Sequence, residues 1–244
     1  MTKLTSSSTF INTNKATYVN ELFAKIADKY DLLNNLMTFG LHKKWKKETI
    51  LLALEENKSP EYALDLCAGT CDLSITLNNL SPNTKITCID NCNSMLEAGL
   101  HKIKSLKLKN IEVSLLDSEN LPFKGSSYDL ITIGFGLRNL DNKEKIIKDI
   151  FNLLKDNGVF ACIDLGHPKN NVWRKIFFFY FFNIVPKLGQ IFAQNKEAYS
   201  YLPNSLLNYY NQEELKKIIL SKGFRKCYFK NILGGIVAIH IAIK

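Results

Sequence analysis

The sequence predicts one α/β domain: a mostly parallel seven-stranded sheet with helices on both faces and one antiparallel strand. Three observations carry this. From Tyr62 to Leu165 short apolar runs alternate with helix-length amphipathic segments, the pattern of parallel strands joined by crossover helices. The first run passes through Asp65 into a tight small-residue turn, Cys67-Ala68-Gly69-Thr70-Cys71-Asp72, of the kind that leads a strand into a helix. Two β-rich runs close the chain, separated by a stretch short enough for a hairpin, so one of them runs antiparallel.

Residues 1–18 are read as a disordered tail ahead of a single domain over 19–244, because the first twenty residues are rich in Ser, Thr and Asn and carry no acid. Val19, Leu22, Phe23, Ile26 and Ala27 form an i, i+3, i+4, i+7 stripe that predicts a helix over 19–30. A mixed stretch, 30–40, leads to a second helix over 42–56 carrying Trp45, Ile50, Leu51 and Leu54 among lysines. The strands are expected at 62–66, 85–89, 111–116, 128–134 and 159–165, with helices near 71–79, 93–106 and 143–154. Asp156-Asn157-Gly158 stops the last of these helices. Beyond Pro168, Ile176–Phe182 is apolar on every face, where a helical lid over a crevice would be inserted. It reads either as ordinary core or as the wall of an apolar pocket for a long hydrophobic tail. A helix at 211–221 precedes the closing runs, 224–230 and 235–243.

With 244 residues, 46% hydrophobic and 23% charged, the chain has ample core. Its longest apolar run is far below the roughly 18–20 residues that span a bilayer. A net charge of +9 reads either as a lysine-rich surface or as attraction to an anionic one. His42-Lys43-Lys44-Trp45-Lys46-Lys47 has the same two readings: a solvated helix face, or contact with a membrane surface with Trp45 at headgroup level. The six cysteines, without a visible secretory signal, suggest a reduced cytosolic compartment. Cys67, Cys71, Cys88 and Cys92 sit on strand-to-helix turns and are read as small buried groups, so no metal is expected.

In an open parallel sheet ligands bind beyond the carboxyl ends of the strands. Gly69 and Thr70 lie in the first such turn, and Asp90 ends the second strand 21 residues after Gly69, where an acid accepts hydrogen bonds from ribose hydroxyls. One glycine is too few for a dinucleotide fingerprint, so a nucleoside cofactor without a pyrophosphate, such as S-adenosylmethionine, fits better. Asp117 and Ser118 follow the third strand, placed to meet an adenine amino group and ring nitrogen; the alternative is a polar turn before Pro122. Arg138 and Asn139 follow the fourth. Arg138 either binds a substrate oxygen or pairs with Asp141 or another carboxylate.

Several blocks carry a resemblance over nearly the whole chain. They are Phe23–Asn34 continuing to Phe39–Lys46, then Leu121-Pro122-Phe123 and Phe135-Gly136-Leu137-Arg138-Asn139, then Ala198–Pro203, and finally Gly234–His240. Together they resemble the class I S-adenosylmethionine methyltransferases that C-methylate quinols, the demethylmenaquinone and 2-polyprenyl-benzoquinol methyltransferases. The resemblance implies a Rossmann-like methyltransferase fold, S-adenosylmethionine as cofactor and a prenylated quinol as partner. It also implies a cytoplasmic protein at the membrane surface and a homodimer. Thr70, Asp90, Asp117 and Ser118 match cofactor-binding positions, and Arg138 and Asn139 match residues that help deprotonate the quinol through a water. Cys71 stands where the family pattern has a second glycine, so Cys71 and Cys92 are both expected beside the cofactor. No carboxylate or histidine stands out as a base. The alternatives are methylation of another small hydrophobic substrate, or a membrane-associated protein that has lost catalysis. Nucleic acid is not expected as a partner, since no Asn/Asp-Pro-Pro-aromatic stretch is present to hold a flipped base.

Overall fold

A computed structural model of the chain describes residues 15–193 and 196–244. The expected tail lies outside the described residues as far as position 14, and Lys15–Tyr18 already belong to a helix. The elements are α1 (Lys15–Ile26), α2 (Tyr30–Thr38), α3 (Leu41–Glu56), β1 (Tyr62–Leu66), α4 (Asp72–Leu80), β2 (Lys85–Asp90), α5 (Asn93–Ser105), β3 (Ile111–Leu115) and β4 (Tyr128–Gly134). They continue with α6 (Lys143–Leu153), β5 (Leu154–Leu165), α7 (Asn171–Phe179), a π-helical turn (Tyr180–Ile184), α8 (Val185–Ala193), α9 (Lys196–Leu207), α10 (Gln212–Ser221), β6 (Lys226–Ile232) and β7 (Val237–Ile243).

The sheet has the order β3-β2-β1-β4-β5-β7-β6, with β7 antiparallel to both its neighbours and the other described pairs parallel. Strand residues alternate between faces. Leu64, Ile131, Phe160 and Cys162 pack in one cluster with Ile146 and Ile150 of α6 and Leu215 and Ile219 of α10. Ala63, Cys88, Val159 and Ala161 pack in another with Trp45 and Ile50 of α3 and Leu73 and Leu77 of α4. The order reverses between β1 and β4, and the register there pairs Leu66 with both Ile89 and Ile133. The loops after β1, β2 and β4 therefore leave the sheet in one row, at the place where such sheets bind ligands.

Two segments differ from expectation. Residues 30–38 form a full helix, stopped where Phe39 (φ 51°) and Gly40 (φ 75°) turn left-handed. The fifth strand begins at Leu154, because buried Leu154 pairs with Tyr128 across an irregular register; Asp156-Asn157-Gly158 lie inside it. The aromatic run is only partly covered, and it forms the wall of an apolar cavity, one of its two expected readings. Phe177 and Phe181 are buried, while Ile176 and Phe179 are 53% and 65% exposed.

Candidate active site

Two adjoining cavities lie over the row of strand ends, sharing Phe23, Tyr30 and Phe135 as walls. The first, about 240 Å³, has a mixed polar and apolar lining. Gly69, Asp90, Asp117, Ser118 and Asn139, all expected in the site, line it together with Cys92, Met95 and Leu140. Asp90 is oriented by two backbone donors, Gly69 N to Oδ2 and Cys92 N to Oδ1, each at 2.9 Å. Each oxygen keeps acceptor capacity beyond that bond. Burial raises the Asp90 carboxyl above its ordinary range, against the pull of these N–H groups. Ser118 is buried and its hydroxyl accepts from the Cys67 thiol at 3.5 Å. Asp117 holds its own loop, accepting from Glu119 N and Asn120 Nδ2.

The loops after β1 and β4 approach so closely that a Cβ on Gly136 would lie 2.5 Å from Cys67 Cβ. Cys67 (φ 54°), Cys71 (φ 60°) and Phe135 (φ 59°) are all left-handed without being glycine. Each such residue costs on the order of 1 kcal/mol or more.

Thr70 and Cys71 do not line the first cavity. The Thr70 hydroxyl donates to Asp31 of α2 at 2.9 Å. Asp31 also binds Lys102 of α5, which binds Asp72, which binds Lys46 of α3. Burial alone would raise Asp72; Lys46 and Lys102 outweigh it and hold its carboxyl well below the usual range. This chain of charges ties the turn after β1 to the N-terminal helices. Cys71 was expected beside the cofactor. Instead it is fully buried, with its sulfur against α5, where a Cβ on Gly99 would lie 2.6 Å away. It does not line the cavity, whereas Cys92 does.

Asp65, at the end of β1, is likewise withdrawn from the crevice. Fully enclosed, it accepts from Ser74 at 2.6 Å and Thr132 at 2.7 Å, and burial raises it to about 6. All six cysteines are free, and no described residues form a group able to hold a metal.

The second cavity, about 400 Å³, is bounded by α1, α2, α3, α7 and α9. Leu22, Ile26, Met37, Phe177, Phe181 and Val185 give it an apolar interior. Arg138 reaches this cavity, buried to 5% exposure. Its partner is Asp164, not Asp141: Nη1 donates to Oδ1 at 2.6 Å and the backbone N to Oδ2 at 3.1 Å. Nη1 also reaches the Phe135 carbonyl, and Nε the Ser205 hydroxyl. Burial alone would lower the guanidinium; Asp164 outweighs it and raises it, so the charge is permanent. Asn139 accepts from Tyr201 at 3.4 Å. Asp164 escaped the sequence reading, although it ends a buried strand as Asp65 and Asp90 do.

The ubiE/COQ5 methyltransferase family profile matches residues 11–244. The chain belongs to that family. It is 42% identical to a demethylmenaquinone methyltransferase of Leptospira interrogans, covering 94% of each chain. It is 37% identical to the ubiquinone/menaquinone biosynthesis C-methyltransferase UbiE of Rickettsia prowazekii, covering 95% of this chain and 94% of that one. Among solved structures, the [4+2]-cyclase SpnF matches with a TM-score of 0.67 at 13% identity, over 94% and 96% of the two chains. A SAM-dependent methyltransferase of Aquifex aeolicus matches at 0.58 and 18%, over 81% of this chain and 88% of that one. This ubiE/COQ5 family member has the Rossmann-like methyltransferase fold and is an S-adenosylmethionine-dependent methyltransferase. The first cavity fits that cofactor in its donor set: an oriented acid for hydroxyls, small backbone turns, and apolar Met95, Phe135 and Leu140 for a flat ring.

Proposed function

We propose that the protein transfers a methyl group from S-adenosylmethionine to a ring carbon of a prenylated quinol. The observation that carries this is the apolar 400 Å³ cavity adjoining the more polar one, with Arg138 on the wall of the apolar cavity and Asn139 on that of the more polar one. A polar ring with a hydrocarbon tail matches that division. The names of the Leptospira and Rickettsia relatives point to the same substrate class.

When bound, the cofactor supplies an electrophilic methyl group on a sulfonium. Gly69, Asp90, Asp117 and Ser118 are the residues proposed to hold it, Asp90 taking ribose hydroxyls and the 117–118 loop the adenine. Thr70 acts through Asp31 by fixing the turn. The chain's own task at the ring is to make carbon nucleophilic, which follows when a phenolic hydroxyl gives up its proton. A guanidinium has no lone pair to accept one. The proposed role of Arg138 and Asn139 is therefore to donate hydrogen bonds, directly or through a water, to the oxygen on which charge develops. Asp164 supports that role by fixing the guanidinium plane through a buried ion pair.

Membrane-surface docking belongs to the same proposal. Phe39 is 85% exposed, and Leu41, Trp173, Ile176 and Leu233, also exposed, line the same cavity. Exposed Lys43, Lys44, Lys47, Arg174 and Lys175 lie on the same helices. An apolar rim with cations suits an anionic bilayer surface from which a lipid-soluble quinol enters. No described helix is long and apolar enough to cross a membrane.

The decisive experiment is methyl transfer to chemically reduced demethylmenaquinol and demethylated benzoquinol presented in anionic vesicles, followed by mass spectrometry. Arg138→Ala should lower kcat on the accepted quinol with little change in S-adenosylhomocysteine affinity. Absence of transfer to any quinol would overturn the reading. Light scattering on the protein alone, without vesicles, reports the proposed homodimer.

A further inference from the structure

The Ala198–Pro203 block of the sequence lies on α9, and its Tyr201 lines the 400 Å³ cavity. Tyr201 and Ser205 are four residues apart, so they stand on one face of the helix. That face meets Arg138 and Asn139, neighbours in the short 3-10 turn Leu137–Asn139 after β4. The Tyr201 hydroxyl donates to Asn139 Oδ1 at 3.4 Å, and Ser205 Oγ accepts from Arg138 Nε at 3.1 Å. Ser205 is free to accept because its own hydrogen goes to the Leu202 carbonyl at 2.7 Å. One helix thus holds both side chains. Arg138 has Asp164 as a second anchor, whereas among the described residues the Asn139 side chain is held by Tyr201 alone.

The two bonds decide different things. A guanidinium donates whichever way it turns, so Ser205 fixes only its plane. A carboxamide has an accepting end and a donating end of nearly the same shape. Asn139 lines the first cavity. Turned one way it offers N–H groups there; turned the other it offers an oxygen that repels an anion. The Tyr201 hydroxyl engages the oxygen and so leaves the nitrogen for a ligand. Burial raises the Tyr201 phenol above its ordinary range, with Arg138 opposing the rise and Asp141 and Asp164 adding to it. The hydroxyl therefore keeps the hydrogen it donates at neutral pH. The Asn139 backbone is already fixed, its N–H donating to the Gly136 carbonyl at 2.9 Å. Rotation of the amide is the freedom that Tyr201 removes.

We infer that Tyr201 is a positioning residue for methyl transfer: from α9 it turns the Asn139 amide so that its N–H groups, beside the Arg138 guanidinium that Ser205 steadies, meet the ring oxygen on which charge develops. This rests on the quinol reading above and deepens it. The helix that bounds the hydrocarbon cavity also sets the donors for the ring. Tyr201 acts through Asn139 and not on the reacting atoms.

The test uses the full chain. With the accepted quinol, Tyr201→Phe keeps the aromatic ring and loses the hydroxyl; it should lower kcat about tenfold with KM changed less than about threefold. Asn139→Ala should lower kcat about 100-fold, the worth of a donor to a developing oxyanion. The deciding comparison is the double variant. With Asn139 gone the hydroxyl has nothing to turn, so adding Tyr201→Phe should cost less than about twofold more. A residue that merely packs would cost the same factor in either background. S-adenosylhomocysteine affinity, by calorimetry, should be unchanged in Tyr201→Phe, since Tyr201 does not line the first cavity. A second readout needs no turnover. In isotope-labelled protein with S-adenosylhomocysteine bound, the magnetic resonance signals of the Asn139 side-chain amide, identified by their loss in Asn139→Ala, should move in Tyr201→Phe. An unchanged kcat in Tyr201→Phe, an equal loss in both backgrounds, or amide signals that stay in place would overturn the inference. Failure of the parent to methylate any quinol, with the amide signals still moving, would instead overturn the quinol reading.

Discussion

Replacing Asp65 by Asn should alter how stability responds to pH, by an amount the structure fixes. The carboxyl is enclosed between Ser74 and Thr132, and burial raises it from 3.8 to about 6 despite both hydroxyl donors. A raised carboxyl means that the folded state holds a proton the unfolded chain has released. The contribution of Asp65 is thus complete below about pH 4 and is lost as pH rises through about 6. At about 1.4 kcal/mol per pH unit, a displacement of this size makes ionised Asp65 cost the fold about 3 kcal/mol at pH 7. Asn is neutral throughout and can accept one hydroxyl hydrogen and donate to the other oxygen. His42 and His240, both lowered to about 4 by burial, add stability as pH rises over the same range, so the parent's own profile mixes opposite slopes. They are common to both proteins, and the difference isolates Asp65. Urea unfolding followed by fluorescence and circular dichroism at pH 4, 5, 6 and 7 should show D65N gaining about 2.4 kcal/mol on the parent from pH 4 to pH 7. A difference that stays flat across that range would refute the account of a protonated, buried acid at the end of β1.

Asp164→Ala leaves the Arg138 charge buried without its carboxylate, and should lower stability by about 3–5 kcal/mol in denaturant unfolding. Asp90→Ala should weaken S-adenosylhomocysteine binding about 10- to 100-fold in calorimetry, the worth of charge-assisted hydrogen bonds. Gly99→Ala drives a methyl group toward the Cys71 sulfur and should destabilise by about 1–3 kcal/mol. Cys71→Gly in the same chain should recover much of that loss; strictly additive effects in the double-mutant cycle would separate the two sites.

Strand positions were legible because burial on both sheet faces writes itself as short apolar runs, as at Leu64–Leu66 and Ile131–Ile133. The first cavity was legible for a related reason: a residue just past a strand end inherits its place from the strand, and Gly69, Asp90, Ser118 and Asn139 are all of this kind. Partnerships across the fold were not. Nothing local in Arg138 names Asp164, 26 positions on, and the Thr70–Asp31 bond joins residues 39 apart. Cys71 shows the limit most plainly. Its place at the family's second glycine suggested contact with the cofactor, but its sulfur packs against Gly99 of α5.

The left-handed residues around the first cavity have a consequence for engineering. Cys67, Cys71 and Phe135 would each shed about 1 kcal/mol of backbone strain as glycine, set against the packing that the side chain forfeits. At Cys67 and Phe135, whose side chains border the cavity, that relief would come with a looser loop beneath the reacting groups. At Cys71, which does not line it, it would not. Selection that demands turnover should therefore leave Cys67 and Phe135 untouched, whatever it does at Cys71.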